Sequence, residues 1–153
     1  MNFVARDGAA LQAARQAATA RFLAVAQAIK AEAGVVHHQL TSGLHGWAFS
    51  ERGIIHAPEG RTRKQLYILA HECGHLALAH KANGKPRHME EHEAEVWAHA
   101  ALRRHGVAVP RAMTQRGKDY VAGKIRQARR RGAKRIDPAA SRYAGGGHPP
   151  SKR

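Results

Sequence analysis

Residues 71–75 read His-Glu-Cys-Gly-His, and this H-E-x-x-H run constrains the fold of the chain more than any other stretch. Both histidines can reach one metal ion if the segment is helical, because a helix sets residues i and i+4 one turn apart on the same side. Glu72 then stands beside them, able to act on a water at the open metal position as general base without itself ligating. The flanks agree. Gln65 to Ala70 leads in and Leu76 to Ala79 leads out. At the helical period Leu66, Ala70, Cys73 and Ala77 form a stripe opposite the histidines, with Leu69 and Leu76 flanking it. A helix apolar almost all round is a buried one, and two imidazoles and a carboxylate buried on it need a partner. Zinc is such a partner, so the pattern predicts a zinc-dependent hydrolase, foremost a peptidase.

A catalytic zinc takes three protein ligands and keeps one position open, so a third ligand must follow. The next helical stretch runs from Arg87 to Leu102, with Ala94, Trp97, Ala98 and Ala101 as its apolar arc. Glu91 and Glu95 lie one turn apart at the edge of that arc, while Glu93 points away. Small alanines let this helix approach the metal helix closely, which makes Glu91 the expected third ligand. Glu95 suits a supporting role, accepting the free N–H of a ligating histidine and so setting its tautomer. Glu93, His88, His92 and His99 are rivals on the same helix.

The runs RKQLYILAHECGHLALAH and EEHEAEVWAHAAL resemble the ImmA/IrrE family of zinc metallopeptidases. That family pairs a hydrophobic H-E-x-G-H helix with a downstream E-x-x-A-(N/D)-x-(F/W)-A helix. The likeness covers roughly residues 50–102 and aligns Glu91, Ala94, Glu95, Trp97 and Ala98 with the second motif. It implies that Glu91 is the zinc ligand, and that the substrate is a repressor or transcription regulator in a mobile-element or stress-response setting. Position 95 carries Glu where the family usually has Asn or Asp.

The rest of the chain predicts an α+β architecture with a small zincin-like domain over residues 1–108. A helix is expected from about Ala9 to Ala33, with Leu11, Ala14, Ala18, Phe22, Val25, Ala26 and Ile29 on its apolar face and Gly34 ending it. A three-stranded meander follows over 35–40, 46–50 and 53–57. Such a sheet commonly leaves an edge beside the cleft where an extended peptide can pair, and His45 and His56 lie near it. The lone cysteine, Cys73, falls on the buried stripe and allows no intrachain disulfide. The opening residues show no secretory signal, and no run is long and apolar enough to span a membrane. A soluble, cytoplasmic protein is expected.

The C-terminal third differs in kind. Residues 103–153 hold fifteen Lys and Arg against two Asp, which is +13 of the chain's net +15. A basic helical extension is expected over 109–131, capped by Thr114, with Tyr120, Val121, Ile125 and Ala128 as a thin apolar stripe. Residues 132–153 read as a disordered basic tail. Lys124, Arg126, Arg129, Arg130, Arg131, Lys134 and Arg135 form the candidate surface for nucleic acid, bound non-specifically through its phosphates. Base readout has little support, since only Tyr120 and Tyr143 are aromatic there.

These readings combine into one mechanism: a single Zn²⁺ held by His71, His75 and Glu91, Glu72 as general base, and a protein substrate, for which a DNA-bound regulator is the leading candidate. Tyr67 reads as packing; Tyr120, Tyr143 and several histidines remain candidates for the oxyanion stabiliser. A different class of function competes. The chain can be read as a catalytically silent, zinc-stabilised adaptor that binds nucleic acid through its basic segment.

Overall fold

The computed structural model describes residues 3–145. Helix α1 (Phe3–Ala33) leads through Gly34 into three short strands, β1 (His37–Leu40), β2 (Trp47–Phe49) and β3 (Ile54–Ala57), with a 3₁₀ turn at Ser50–Arg52. Four helices follow: α2 (Arg63–Ala77), α3 (Arg87–Arg104), α4 (Arg111–Arg130) and the short α5 (Pro138–Tyr143). The α+β class expected from sequence is observed. No helix among the described residues is long and apolar enough to cross a membrane.

The sheet is not a meander. Its order is β1-β3-β2, with β3 parallel to β1 and antiparallel to β2. Ile55 and Ala57 explain the central place of β3, for both are fully buried while β1 is mostly exposed. The strand that can bury its apolar face takes the middle and leaves β2 as an edge.

Among the residues of α1 whose burial is described, only those of the second half enter the core. Phe22, Val25, Ala26 and Ile29 enter the core, whereas Leu11 is 54% exposed and Ala14 and Ala18 lie on the surface. The expected stripe was therefore too long. On α2 the stripe of Leu66, Ala70 and Cys73 is fully buried, but Ala77 is exposed at the helix end. Burial pushes the Cys73 thiol well above its ordinary pKa, so it behaves as a small core residue.

Helix α2 starts where Thr62 accepts a hydrogen bond from the Gln65 N–H at 3.2 Å. It packs against α3 so closely that a Cβ on Gly74 would lie 3.1 Å from the Ala94 carbonyl oxygen. Glycine there and alanine opposite set the separation of the two helices that carry the site.

The largest correction concerns the C-terminal third. Helix α4 begins at Arg111 rather than at Thr114, whose hydroxyl turns back to the Pro110 carbonyl. It buries Met113 and Gly117 toward the main body, while Val121 and Ile125 join Ala140 of α5 in a second small cluster. Tyr120 is half exposed and does not belong to that stripe. Residues 132–145 were expected to be disordered, yet they turn back and form α5, capped by Asp137 through the Ala140 N–H at 2.8 Å with Pro138 in the first turn. Residues 146–153 of the expected tail lie outside the described residues.

Candidate metal centre

Three ligand atoms converge. His71 Nε2 lies 3.1 Å from His75 Nε2, and Glu91 Oε2 lies 3.0 and 3.4 Å from those two nitrogens. These three are the one group of metal-competent side chains found among the described residues. A tetrahedral ion with bonds of about 2.0–2.1 Å separates its ligands by about 3.3 Å, so the observed triangle is the size such an ion requires. The donor set of two imidazoles and one carboxylate matches that of catalytic zinc sites with a position left open. The charge balance agrees. Burial disfavours a charged His71, yet contacts with Glu91 and Glu95 raise its pKa well above normal. Burial likewise raises Glu91, but the two histidines outweigh it and hold the carboxylate ionised.

Glu72 is buried, lines the same cleft and makes no hydrogen bond among the described residues. Desolvation raises its pKa to about 7 against the opposing charge of His71. His75 moves the other way, to about 4, because burial outweighs its contact with Glu91. A neutral imidazole is the form a metal needs.

Each ligand is held from behind. Glu95 Oε1 lies 2.8 Å from His71 Nδ1, as expected for the supporting carboxylate. Its other oxygen accepts from the Tyr67 hydroxyl and, at 2.8 Å, from the Tyr143 hydroxyl. Burial raises the pKa of Glu95, but bonds from His71, His99 and Tyr67 win and hold it ionised. Tyr67 is therefore more than packing. Arg87 reaches Glu91 Oε1 at 2.8 Å and fixes the third ligand.

His75 has its own chain of support. Its Nδ1 meets His80 Nδ1 at 2.8 Å, His80 Nε2 lies 3.3 Å from Glu93, and Lys85 donates to Glu93 at 2.8 Å. Glu93 is thus committed away from the metal position. The other rivals are engaged too: His88 accepts from the Asp137 N–H, His92 packs on the Tyr143 ring, and His99 stands by Tyr67.

The cleft, about 350 Å³, is closed on one side by α4. Tyr120, Gly117, Arg116 and Met113 line it, as do His45 and Trp47 from the sheet side. His56 is not among the lining residues; it stacks on Trp47 with ring centres 4.6 Å apart. A Cβ on Gly117 would fall 2.3 Å from a Glu95 carboxylate oxygen, so any larger residue where α4 crosses α3 would displace that carboxylate from its bonds. A glycine inside an exposed-looking helix costs about 1 kcal/mol relative to alanine, and that cost was the one sequence signal of this contact. His80 was missed because it follows the end of α2; left-handed backbone at Ala79 and Lys81 swings it back beneath His75. Tyr143 carried no signal at all, since it joins Glu95 across 48 residues.

The seven basic candidates for nucleic-acid contact, Lys124, Arg126, Arg129, Arg130, Arg131, Lys134 and Arg135, lie on the last turns of α4 and just beyond it. None takes part in an ion pair among the described residues.

Compared with known families and proteins, the chain matches no family model, no curated protein and no solved structure.

Proposed function

We propose that this chain is a zinc-dependent metallopeptidase that hydrolyses a peptide bond in an intracellular protein. The observation that carries this reading is the convergence of His71 Nε2, His75 Nε2 and Glu91 Oε2 beside a Glu72 carboxylate that has no hydrogen-bond partner among the described residues. A merely structural metal has no need for that carboxylate. Zinc bound there supplies Lewis acidity, making a water easier to deprotonate and a carbonyl easier to attack. Glu72, with its pKa near neutrality, takes the proton from the attacking water and passes it to the leaving amine. Glu95, Arg87 and His80 hold the three ligating side chains in register. Gly46 and Trp47, at the start of edge strand β2, line the cleft and give an extended substrate backbone a strand to lie against. With Tyr67 and Tyr143 committed to Glu95, Tyr120, His45 and Arg116 are among the cleft side chains left to stabilise an oxyanion. The resemblance of both motifs to ImmA/IrrE peptidases supports the same reading and makes a transcription regulator the first substrate to try.

Elemental analysis of the purified chain and a Glu72→Gln variant test this together. The expected result is about one zinc per chain in both proteins, with hydrolysis lost about 10²- to 10⁴-fold in the variant alone. A folded chain that takes up no zinc on titration, or a variant that still cleaves, overturns the proposal.

A second reading has its own observation. The basic side chains around the end of α4 are free of ion pairs among the described residues, as a polyanion-binding adaptor requires. Zinc-loaded protein that binds duplex DNA yet cleaves no tested regulator favours it.

A further inference from the structure

A second cavity, about 460 Å³, lies between the first turn of α3 and the last turns of α4. Arg87, His88, Lys124 and Arg131 line it, with no acidic side chain among its lining residues. Pro86 stands at the capping position of the 18-residue helix α3 and offers no side-chain acceptor, so the Arg87 and His88 amides have no side-chain cap, while those of Met89 and Glu90 bond the Pro86 carbonyl. Glu90, the acid of that turn, accepts instead from the Lys81 backbone N–H.

His88 provides the independent observation. It is 98% buried (2% exposed), and its Nε2 accepts from the Asp137 N–H at 3.0 Å. That bond requires the proton of the neutral ring to sit on Nδ1, and Nδ1 has no acceptor among the described residues. A buried N–H left without an acceptor is destabilising and calls for a partner. Arg87 Nη1 makes no hydrogen bond among the described residues and has only Glu90 Oε1 at 3.9 Å as a counter-charge, while its Nη2 holds Glu91. Among the described residues neither Lys124 nor Arg131 has an acidic partner; Lys124 reaches only Gln127 Oε1 at 3.4 Å and the Tyr120 ring. At the end of α4 the Gln127, Ala128 and Arg129 carbonyls already accept from the N–H groups of Arg131, Gly132 and Ala133. The Asp137 carboxylate caps α5.

We propose that this cavity binds a phosphate group. The donors come from several directions: His88 Nδ1, Arg87 Nη1, Lys124, Arg131 and the first amides of α3. A carboxylate has two oxygens in one plane, whereas phosphate presents oxygens around a tetrahedron and can answer all of these donors. The phosphate can belong to a nucleic-acid backbone or to a free small molecule; the chemistry of the site is the same. Arg87 lines both this cavity and the metal cleft, yet phosphate binding does not depend on the peptidase reading.

The test is a titration of the full ¹⁵N-labelled chain with inorganic phosphate against chloride at matched ionic strength. The amides of Arg87 and His88 and the His88 Nδ1–H should shift along a saturating curve. A Lys124→Ala/Arg131→Ala variant should bind phosphate at least about tenfold more weakly, the loss expected for two charge-assisted hydrogen bonds. An Arg129→Ala/Arg130→Ala variant, with the same loss of charge, should stay within about twofold, since its side chains do not line the cavity. No saturation, or equal weakening in the two variants, overturns the site and leaves only a diffuse positive field. A short DNA duplex that displaces phosphate from the same resonances identifies the backbone as the source. A duplex that leaves those resonances in place assigns the site to a free phosphate compound.

Discussion

Helices α2 and α3 carry their charge inward, whereas α4 and α5 carry theirs outward. The first pair buries Glu72, His75, His88, Glu90, Glu91 and Glu95; the second buries Met113, Gly117, Val121, Ile125 and Ala140. Inward charge is expensive, costing several kcal/mol per ion unless each group finds counter-charge and hydrogen bonds. The α2–α3 pair cannot supply all of them. Glu95 needs a hydroxyl from Tyr143, and needs a glycine at 117 so that α4 can close over it. The outward-charged pair therefore completes the site with two uncharged groups; of its many cations only Arg116 lines the cleft. Net charge describes chiefly the surface of α4.

This division predicts a graded series. The largest effect belongs to the inward pair: His75→Ala should drop zinc from about one per chain to near none, because two remaining ligands hold the ion poorly. Elemental analysis reads it. Next comes the point where the two regions touch. Gly117→Ala forces a Cβ against the Glu95 carboxylate and should destabilise the fold by about 1–3 kcal/mol, measured by denaturant unfolding. An unchanged midpoint would mean that α4 does not rest on α3. Tyr143→Phe removes one hydroxyl and keeps the ring. It should weaken zinc binding by about tenfold, the low end for a group that steadies a ligand from behind, as followed by chelator competition. If neither Gly117→Ala nor Tyr143→Phe alters zinc affinity, the C-terminal third is an appendage after all. The smallest effect belongs to the outward charges. Replacing Arg126, Arg129 and Arg130 by serine should change stability by no more than about 0.5 kcal/mol each and leave zinc content unchanged.

Much of the inward pair was legible beforehand. His71, Glu72, His75, Glu91 and Glu95 lie on two helices whose period puts them on defined faces, and helical geometry is local. Cys73, Leu66 and Ala70 were readable as core for the same reason. Strand pairing was not local in this way. The three strands were recognisable, but which became the centre depended on what α1 and α2 cover, and that put β3 between its predecessors. Composition misled at residues 132–145. Glycine, proline and cations argue against a buried core, yet ordering this stretch took only Ile136, Ala140 and Tyr143 laid against Val121 and Ile125.

Sequence alone oriented five polar side chains on two facing helices, α2 and α3, because a period of 3.6 residues is enough to set the side a residue takes. Only the tertiary structure decided what stands behind those side chains: Tyr143 and Tyr67 on Glu95, His80 on His75, Arg87 on Glu91, and Gly117 where α4 passes. The physical reason is distance along the chain. A buried carboxylate accepts a hydrogen bond from any donor the fold brings near, and most of those donors come from segments whose local pattern carries no trace of the contact.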